Sequence, residues 1–470
     1  MRARPSWDLV RRFAARAGRV RVIAVVVFAL SLGGASGAPA SGWSLQRVPD
    51  EATVLSAVSC VSPTACEAVG SYTVFGAQVT VAERWNGSSW SVQRTPSPGS
   101  LSGVSCVSST ACTAVGTSGG RALVLRWNGT SWVIQSTPTP SSGGVVRLVG
   151  VSCPSATVCI AIGAIVTGGG GGEGASIGGV PLVEQWNGAG WSILPTPGPL
   201  GFRGLSAVSC TSATACTAVG GEFVPEAGSF PLVERWNGAS WSAGEAAVSG
   251  GPYGNCSGCS GANFSLNGVS CVSPALCAAV GSANNTSLAE RWDGASWTIQ
   301  PTPGTFAGLK DVSCASSVIC TATGSDTNAP LVERWDGTSW TIQPNPASSG
   351  ILNGVSCAPS TGECIAVGSS SGKALAERWD GTTWTLLATI APTACVVPNV
   401  QHKSLTAARK LIRAAHCTVG KVSMPQRRGP KPGSHKRWKL VVGGESPSLG
   451  SVEPSGTSVR LKLVYKAVQA

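Results

Sequence analysis

Apolar and polar positions alternate along this chain in short runs, and the runs recur. Within residues 55–94 four segments rich in β-branched and aromatic residues are parted by turn residues: Leu55–Cys60, Cys66–Gly70, Thr80–Trp85 and Trp90–Arg94. Alternation over so few residues predicts strands, not helices. The pattern returns through residues 41–394 as a unit close to L-x-x-V-S-C-x5-C-x-A-V-G, a variable stretch, then L-x-E-R-W-[ND]-G-x-x-W-x-x-Q-x-x-P. Its first cysteines are Cys60, Cys106, Cys153, Cys210, Cys271, Cys314 and Cys357, and their partners are Cys66, Cys112, Cys159, Cys216, Cys277, Cys320 and Cys364. The tryptophans pair as Trp85/Trp90, Trp127/Trp132, Trp186/Trp191, Trp236/Trp241, Trp292/Trp297, Trp335/Trp340 and Trp379/Trp384. Successive first cysteines lie 46, 47, 57, 61, 43 and 43 residues apart, with the extra length in loops such as Gly168–Gly179 and Gly250–Ala262.

Four strands per unit of 40–60 residues, with one aromatic motif each, is the pattern of a propeller blade. The expectation is an all-β, seven-bladed β-propeller with four-stranded blades and a disulfide closing the first hairpin of each. The Asn-Gly or Asp-Gly after each first Trp predicts a tight hairpin, since both residues tolerate positive φ. One stray copy of the last strand, Gly42–Gln46, precedes the first unit, while the last unit keeps its own Trp384 strand. The sequence thus leaves open how the ring closes. The repeat resembles secreted bacterial, actinobacterial-type β-propeller proteins with an R-W-[ND]-G-x-x-W signature, broadly kelch-like in size. That resemblance implies the architecture; one fold hosts many activities.

Alternation along Leu331–Trp335 puts Glu333 and Arg334 on opposite faces. The Trp pairs have large areas to bury between blades, so they read as packing; a ring of sugar-stacking faces is the alternative. The Glu-Arg dipeptide recurs too often to be one active site. Unit two has Leu125-Arg126 and unit three Glu184-Gln185. It reads as a salt bridge between blades or along a strand edge.

Composition agrees: among 470 residues there are 61 Gly, 18 Cys and 17 Trp, and charged residues make up only 12%. Helix formers are scarce, and so many paired cysteines point to an oxidising compartment. The formal charge of +12 is unevenly placed. Residues 1–40 hold seven Arg and one Asp, residues 41–394 hold 13 basic and 19 acidic residues, and residues 395–470 hold fourteen basic residues and two Glu. The first segment reads as a secretory signal: Arg11, Arg12, Arg16, Arg19 and Arg21, an apolar run Val22–Leu32, then Ala38-Pro39-Ala40. Cleavage is expected after Ala40 or at Ala38; an uncleaved N-terminal anchor is the alternative. Cleaved, the chain has no membrane span and is extracellular.

Residues 395–470 change character. Ser404 can cap a helix whose apolar face is Leu405, Ala408, Leu411, Ile412 and Ala415. A basic loop (Met424–Arg437) and two strand-like stretches, Trp438–Val442 and Ser458–Tyr465, follow. Val397-Pro398-Asn399-Val400, Ser404-Leu405, Ala407-Ala408 with Leu411, Ser446-Pro447-x-x-Gly450 and Gly456-Thr457-x-Val459-x-Leu461-x-Leu463 resemble a PASTA domain, a small α+β module. His416-Cys417 and the long basic loop depart from that pattern. Cys395 and Cys417 would staple the first strand to the helix end. The resemblance implies peptidoglycan binding or a spacer role. The basic side chains Arg409, Lys410, Arg413, Arg427, Arg428, Lys431, Lys436 and Arg437 are the candidate contacts to an anionic wall polymer. Nucleic acid is not an expected partner outside the cell.

All three histidines (His402, His416, His435) lie beyond residue 394, so no Ser-His-Asp or Cys-His centre can form in residues 41–394. Cys256 and Cys259 in a Gly/Ser-rich insertion read as a loop disulfide; no metal or cofactor is expected. Loop carboxylates Glu173, Glu222, Glu226 and Asp326 could meet as a glycosidase pair if they converge within about 10 Å. The reading reached is a secreted, non-catalytic cell-envelope protein. Its propeller binds an unknown protein or glycan, and residues 395–470 tether it to the wall. A carbohydrate-active propeller, lectin or glycoside hydrolase, is the alternative.

Overall fold

The structure is a computed structural model. It describes residues 53–468 apart from short internal stretches, the longest being 167–178, 248–261, 388–394 and 425–436. The expected signal, its cleavage site and the stray strand Gly42–Gln46 lie outside the described residues. The chain divides into two units, 1–47 and 48–470; the second is described below. Among the described residues no helix is long and apolar enough to cross a membrane.

The first repeat folds as β1 (Thr53–Ser62), β2 (Ala65–Val74), β3 (Ala77–Trp85) and β4 (Trp90–Gln93), an antiparallel meander in that order. Six further repeats build the same four-stranded sheet, with a short parallel bridge, Gly228–Ser229 to Ala262–Asn263, between blades four and five. First strands of successive blades touch one another around the ring, and β1 touches the first three strands of the seventh blade. The seven sheets therefore stand radially, first strand inward, as a β-propeller.

Two recurring motifs explain each blade. In L-x-x-V, just ahead of S-C, the first strand bulges, with register shifting between Leu55 and Ala57. The Gly of A-V-G lies opposite that bulge. A Cβ built on Gly70, Gly116, Gly163, Gly220, Gly281, Gly324 or Gly368 would sit about 2 Å from a first-strand carbonyl oxygen, so a side chain has no room there in any blade. The cysteines face each other across the first hairpin, as Cys60 does Cys66. All seven of these pairs form disulfides. Cys417 is also disulfide-bonded; the side chain of Cys395 and both Cys256 and Cys259 lie outside the described ones.

The Asn-Gly hairpin forms, but by a different device. Trp85 pairs with Trp90, so the loop has four residues. The Asn or Asp keeps negative φ. Its side-chain oxygen accepts the backbone N–H groups two and three residues on, as Asn86 does from Ser88 and Ser89 at 2.9 Å. Only the Gly takes positive φ, between +94° and +103° at Gly87, Gly129, Gly188, Gly238, Gly294, Gly337 and Gly381. The Asn or Asp thus contributes an acceptor, not conformational freedom.

Residues 395–468 form a small α+β fold. Helix α1 (Leu405–Ala414) packs on a three-stranded sheet ordered Thr418–Ser423, Ser458–Val468, Arg437–Ser446. Val397, Val400, Ala408, Ile412, Val442, Val459, Leu461 and Leu463 make its core. Ser404 caps α1, its hydroxyl accepting the Ala407 N–H at 3.2 Å.

Candidate functional site

The two ends of the propeller use their residues differently. One end carries the Cys hairpins and the Trp pairs. Twelve of the fourteen Trp are buried; Trp127 and Trp292 are half-buried. Ring centroids within each pair stand 5.5–5.9 Å apart. Buried rings cannot stack on a sugar, so packing is their role.

Polar members of the motif join neighbouring blades at this end. The Ser of each V-S-C accepts the Cys N–H of the next blade: Ser59 from Cys106, Ser105 from Cys153, Ser152 from Cys210, Ser209 from Cys271, Ser270 from Cys314 and Ser313 from Cys357. Ser356 accepts from Cys60 at 2.9 Å and completes a circle of seven bonds. Asn353 adds a bond to the Leu55 carbonyl, and Thr53 N–H donates to Gly372 O. Through this Ser-to-Cys bond the seventh blade meets the first as each other blade meets the next, and Trp384 keeps its own place. Among the described residues the ring closes by lateral joints between whole blades.

The Glu-Arg dipeptide also joins blades, only partly by ion pairing. Arg84, Arg126, Arg235, Arg291 and Arg334 each lie 4.2–4.9 Å over the first Trp of the next blade. Four of them, Arg84, Arg126, Arg235 and Arg291, also donate to a backbone carbonyl in the next Cys hairpin. Arg84 pairs with Glu67 and Arg378 with Glu363; neither ion pair uses the motif Glu. That Glu points the other way, into the joint with the preceding blade. Glu290 accepts from Ala247 N–H, Glu333 from Ser287, and Glu377 from Asn345. Burial pushes Glu83, Glu184, Glu333 and Glu377 up to about 7, and Glu67 to about 8 against the pull of Arg84. These carboxyls are structural elements sealed between blades.

The opposite end carries the second hairpins and the blade-to-blade connections, where repeat lengths vary. Here a cleft of about 1030 Å³ spans blades one to three. The second hairpin of blade one gives Thr73 and Gln78, and that of blade two gives Thr117 and Ser118. The first strands of blades two and three give Ser102 and Arg147. Among the described residues no carboxylate, aromatic ring or histidine lines it. Arg147 is half-buried and has no hydrogen bond or ion pair among the described residues. Sequence reading missed this site, because three repeats contribute commonplace residues to it. The detectable signal was Arg147 itself: Val54, Ser100, Gly204, Ser265, Gly308 and Ile351 hold its place in the other blades.

Glu222 is buried in blade four and Asp326 lies at the second hairpin of blade six; Glu173 and Glu226 lie outside the described residues. Among the described residues no group of three or more His, Cys, Asp and Glu is placed to hold a metal ion.

In the C-terminal fold Arg409, Lys410 and Arg413 are exposed on α1, as expected. Arg427, Arg428, Lys431 and Lys436 lie outside the described residues, and Arg437 opens a strand whose first side chains do too. The sheet adds bases that the reading did not single out. Lys421, Arg460 and Lys462 are exposed, the latter two alternating with the buried Val459, Leu461 and Leu463. A groove of about 710 Å³ runs beside Ser423, Met424, Arg460 and Lys462.

Among solved structures, the chain is similar to a GH74 xyloglucanase from Xanthomonas campestris, with 14% identity over 88% of this chain and 68% of that one and a TM-score of 0.50. It is also similar to YCF48 bound to a D1 peptide (16%, 62% and 82%, TM-score 0.40) and to Sqt1 of Chaetomium thermophilum (12%, 73% and 86%, TM-score 0.44). At such identities the likeness concerns the fold, a β-propeller. No protein-family model and no curated protein matches the chain.

Proposed function

We propose that this is a secreted, non-catalytic binding protein of the cell envelope. The propeller is its interaction platform, and residues 395–470, which resemble a PASTA domain, tether it to peptidoglycan or an anionic wall polymer. One observation carries the reading: the recurring polar side chains are engaged in blade joints, while at the other end the Arg147 guanidinium stands in an open polar cleft with no partner among the described residues. A structural ring with a cleft at its variable end is a scaffold for recognition. The exposed bases on both faces of the C-terminal fold supply the attraction for a polyanion. Seven disulfides within blades suit an oxidising compartment.

The tether is tested by sedimenting the full-length protein with purified sacculi at about 0.15 M salt. Wild type is expected in the pellet, and the combined Arg409→Glu, Lys410→Glu and Arg413→Glu variant largely in the supernatant. A wild type that stays in solution, or a variant that pellets equally, contradicts the tether.

A further inference from the structure

We infer that the cleft across blades one to three receives an extended acidic polypeptide segment, a side-chain carboxylate of which pairs with Arg147. The inference rests on reading the propeller as a binding platform and names the chemistry of its ligand.

The anchor is chemical. Arg147 is half-buried in an open cleft, where a ligand carboxylate can reach its guanidinium. Among the described residues Arg147 has no hydrogen bond or ion pair, and no acidic side chain lines its cleft. A planar carboxylate answers the guanidinium fork with two parallel hydrogen bonds. The rest of the wall supplies neutral groups suited to a peptide backbone, the hydroxyls of Ser102 and Ser118, while the Thr117 hydroxyl donates to Val146 O. Val145, 41% exposed beside them, offers a small apolar seat to an alternate side chain of a strand-like ligand.

Size and composition narrow the ligand further. At about 1030 Å³ the cleft lies at the upper end of small-molecule pockets, roughly 300–1,000 Å³, so it has room for several residues. An acidic sugar would share the carboxylate, but pyranose faces are best held on aromatic rings, and none lines the cleft among the described residues. The propeller's Trp pairs are packed at the far end.

The test uses the full-length protein and four fluorescent probes: an acidic decapeptide of alternating Asp and Val, its Asn-for-Asp counterpart, a Lys-for-Asp counterpart, and oligogalacturonate. A photoreactive version of the acidic peptide maps its seat by cross-linking and mass spectrometry, which separates the cleft from the basic C-terminal fold. The expected result is binding of the acidic peptide alone and cross-links within residues 73–149. Arg147→Ala should weaken it at least tenfold. Lys373→Ala, at an exposed base on the second hairpin of blade seven, should leave it unchanged. Equal affinity for Arg147→Ala, or cross-links confined to residues 395–470, overturns the inference. Preference for oligogalacturonate through Arg147 also overturns it, while leaving the platform reading intact. If no probe binds at the cleft, the acidic-peptide inference fails, and the platform reading then stands or falls on broader ligand screening.

Discussion

The two ends of the propeller are made from the same seven repeats, yet one is nearly uniform and the other is not. At the Trp end each blade repeats its disulfide, Trp pair and Asx-capped hairpin, and nearly every motif group contacts its own or the next blade. At the opposite end hairpins differ in length, one position becomes Arg147, and a cleft opens. The difference teaches where the ring spends its constraints. A closed circle needs seven equivalent joints, so residues that make joints recur. Recognition needs one place to differ from the others, and the end whose blade contacts do not recur around the whole ring allows that.

The sharpest way to break this comparison is steric. Gly220 faces the Gly204 carbonyl, and a Cβ on Gly220 would lie 1.9 Å from that oxygen, while a Cβ on Gly204 meets nothing within 4 Å. Gly220→Ala is expected to cost about 3 kcal/mol or to prevent folding, and Gly204→Ala well under 1 kcal/mol. Urea denaturation of the pair checks it; equal costs would contradict the uniform-end account.

Protonation comes next. Glu83, Glu184, Glu333 and Glu377 are held at about 7 in the fold and titrate near 4.3 unfolded. A raised folded value means that the unfolded chain releases these protons first as pH rises. Their contribution is full below about 4.5 and is lost as pH climbs through 7. Melting temperature should be higher at pH 5 than at pH 8, by about 5 °C, and Glu333→Gln should flatten the slope. A melting temperature that rises with pH through this window contradicts the buried joints.

A single blade disulfide closes a short loop, as Cys106 and Cys112 are six residues apart. Replacing both by Ser is expected to cost about 2 kcal/mol, read by the same denaturation. Smaller still is one bond of the circle. Ser356→Ala, at the seventh-to-first joint, and Ser209→Ala, between blades four and five, should each cost about 1 kcal/mol. A much smaller effect of Ser356→Ala would mean that the ring does not close as the other joints do.

Much of this was legible in the sequence, and the rest hid for physical reasons. Cys spacing and Trp pairing declared blade number and disulfides, because those partners lie within one repeat. The Glu-Arg dipeptide was harder. Alternation placed its members on opposite faces, but only the folded ring shows that Arg84 reaches forward to Trp127 while Glu377 reaches back to Asn345. The Asn of Asn-Gly was read for its conformational tolerance and serves as an acceptor, since a four-residue loop replaces the shortest hairpin. The cleft was illegible because three repeats each lend it ordinary hydroxyls, and only Arg147 stands out against its counterparts. In the C-terminal fold the helix bases were legible from spacing. Arg460 and Lys462 were equally readable from the alternation Val459-x-Leu461-x-Leu463 and were passed over because the charge count drew the eye to the loop.

The most direct test of the account compares the two ends as binding surfaces. A printed library of peptides and glycans would be probed with wild type, with Arg147→Ala combined with Gln78→Ala at the cleft, and with Ser89→Glu combined with Ser131→Glu at exposed hairpin positions of the Trp end. The account predicts propeller ligands whose binding the cleft variant loses and the Trp-end variant keeps. Ligands lost only on the Trp-end variant, or a propeller that binds nothing in the library, would contradict it.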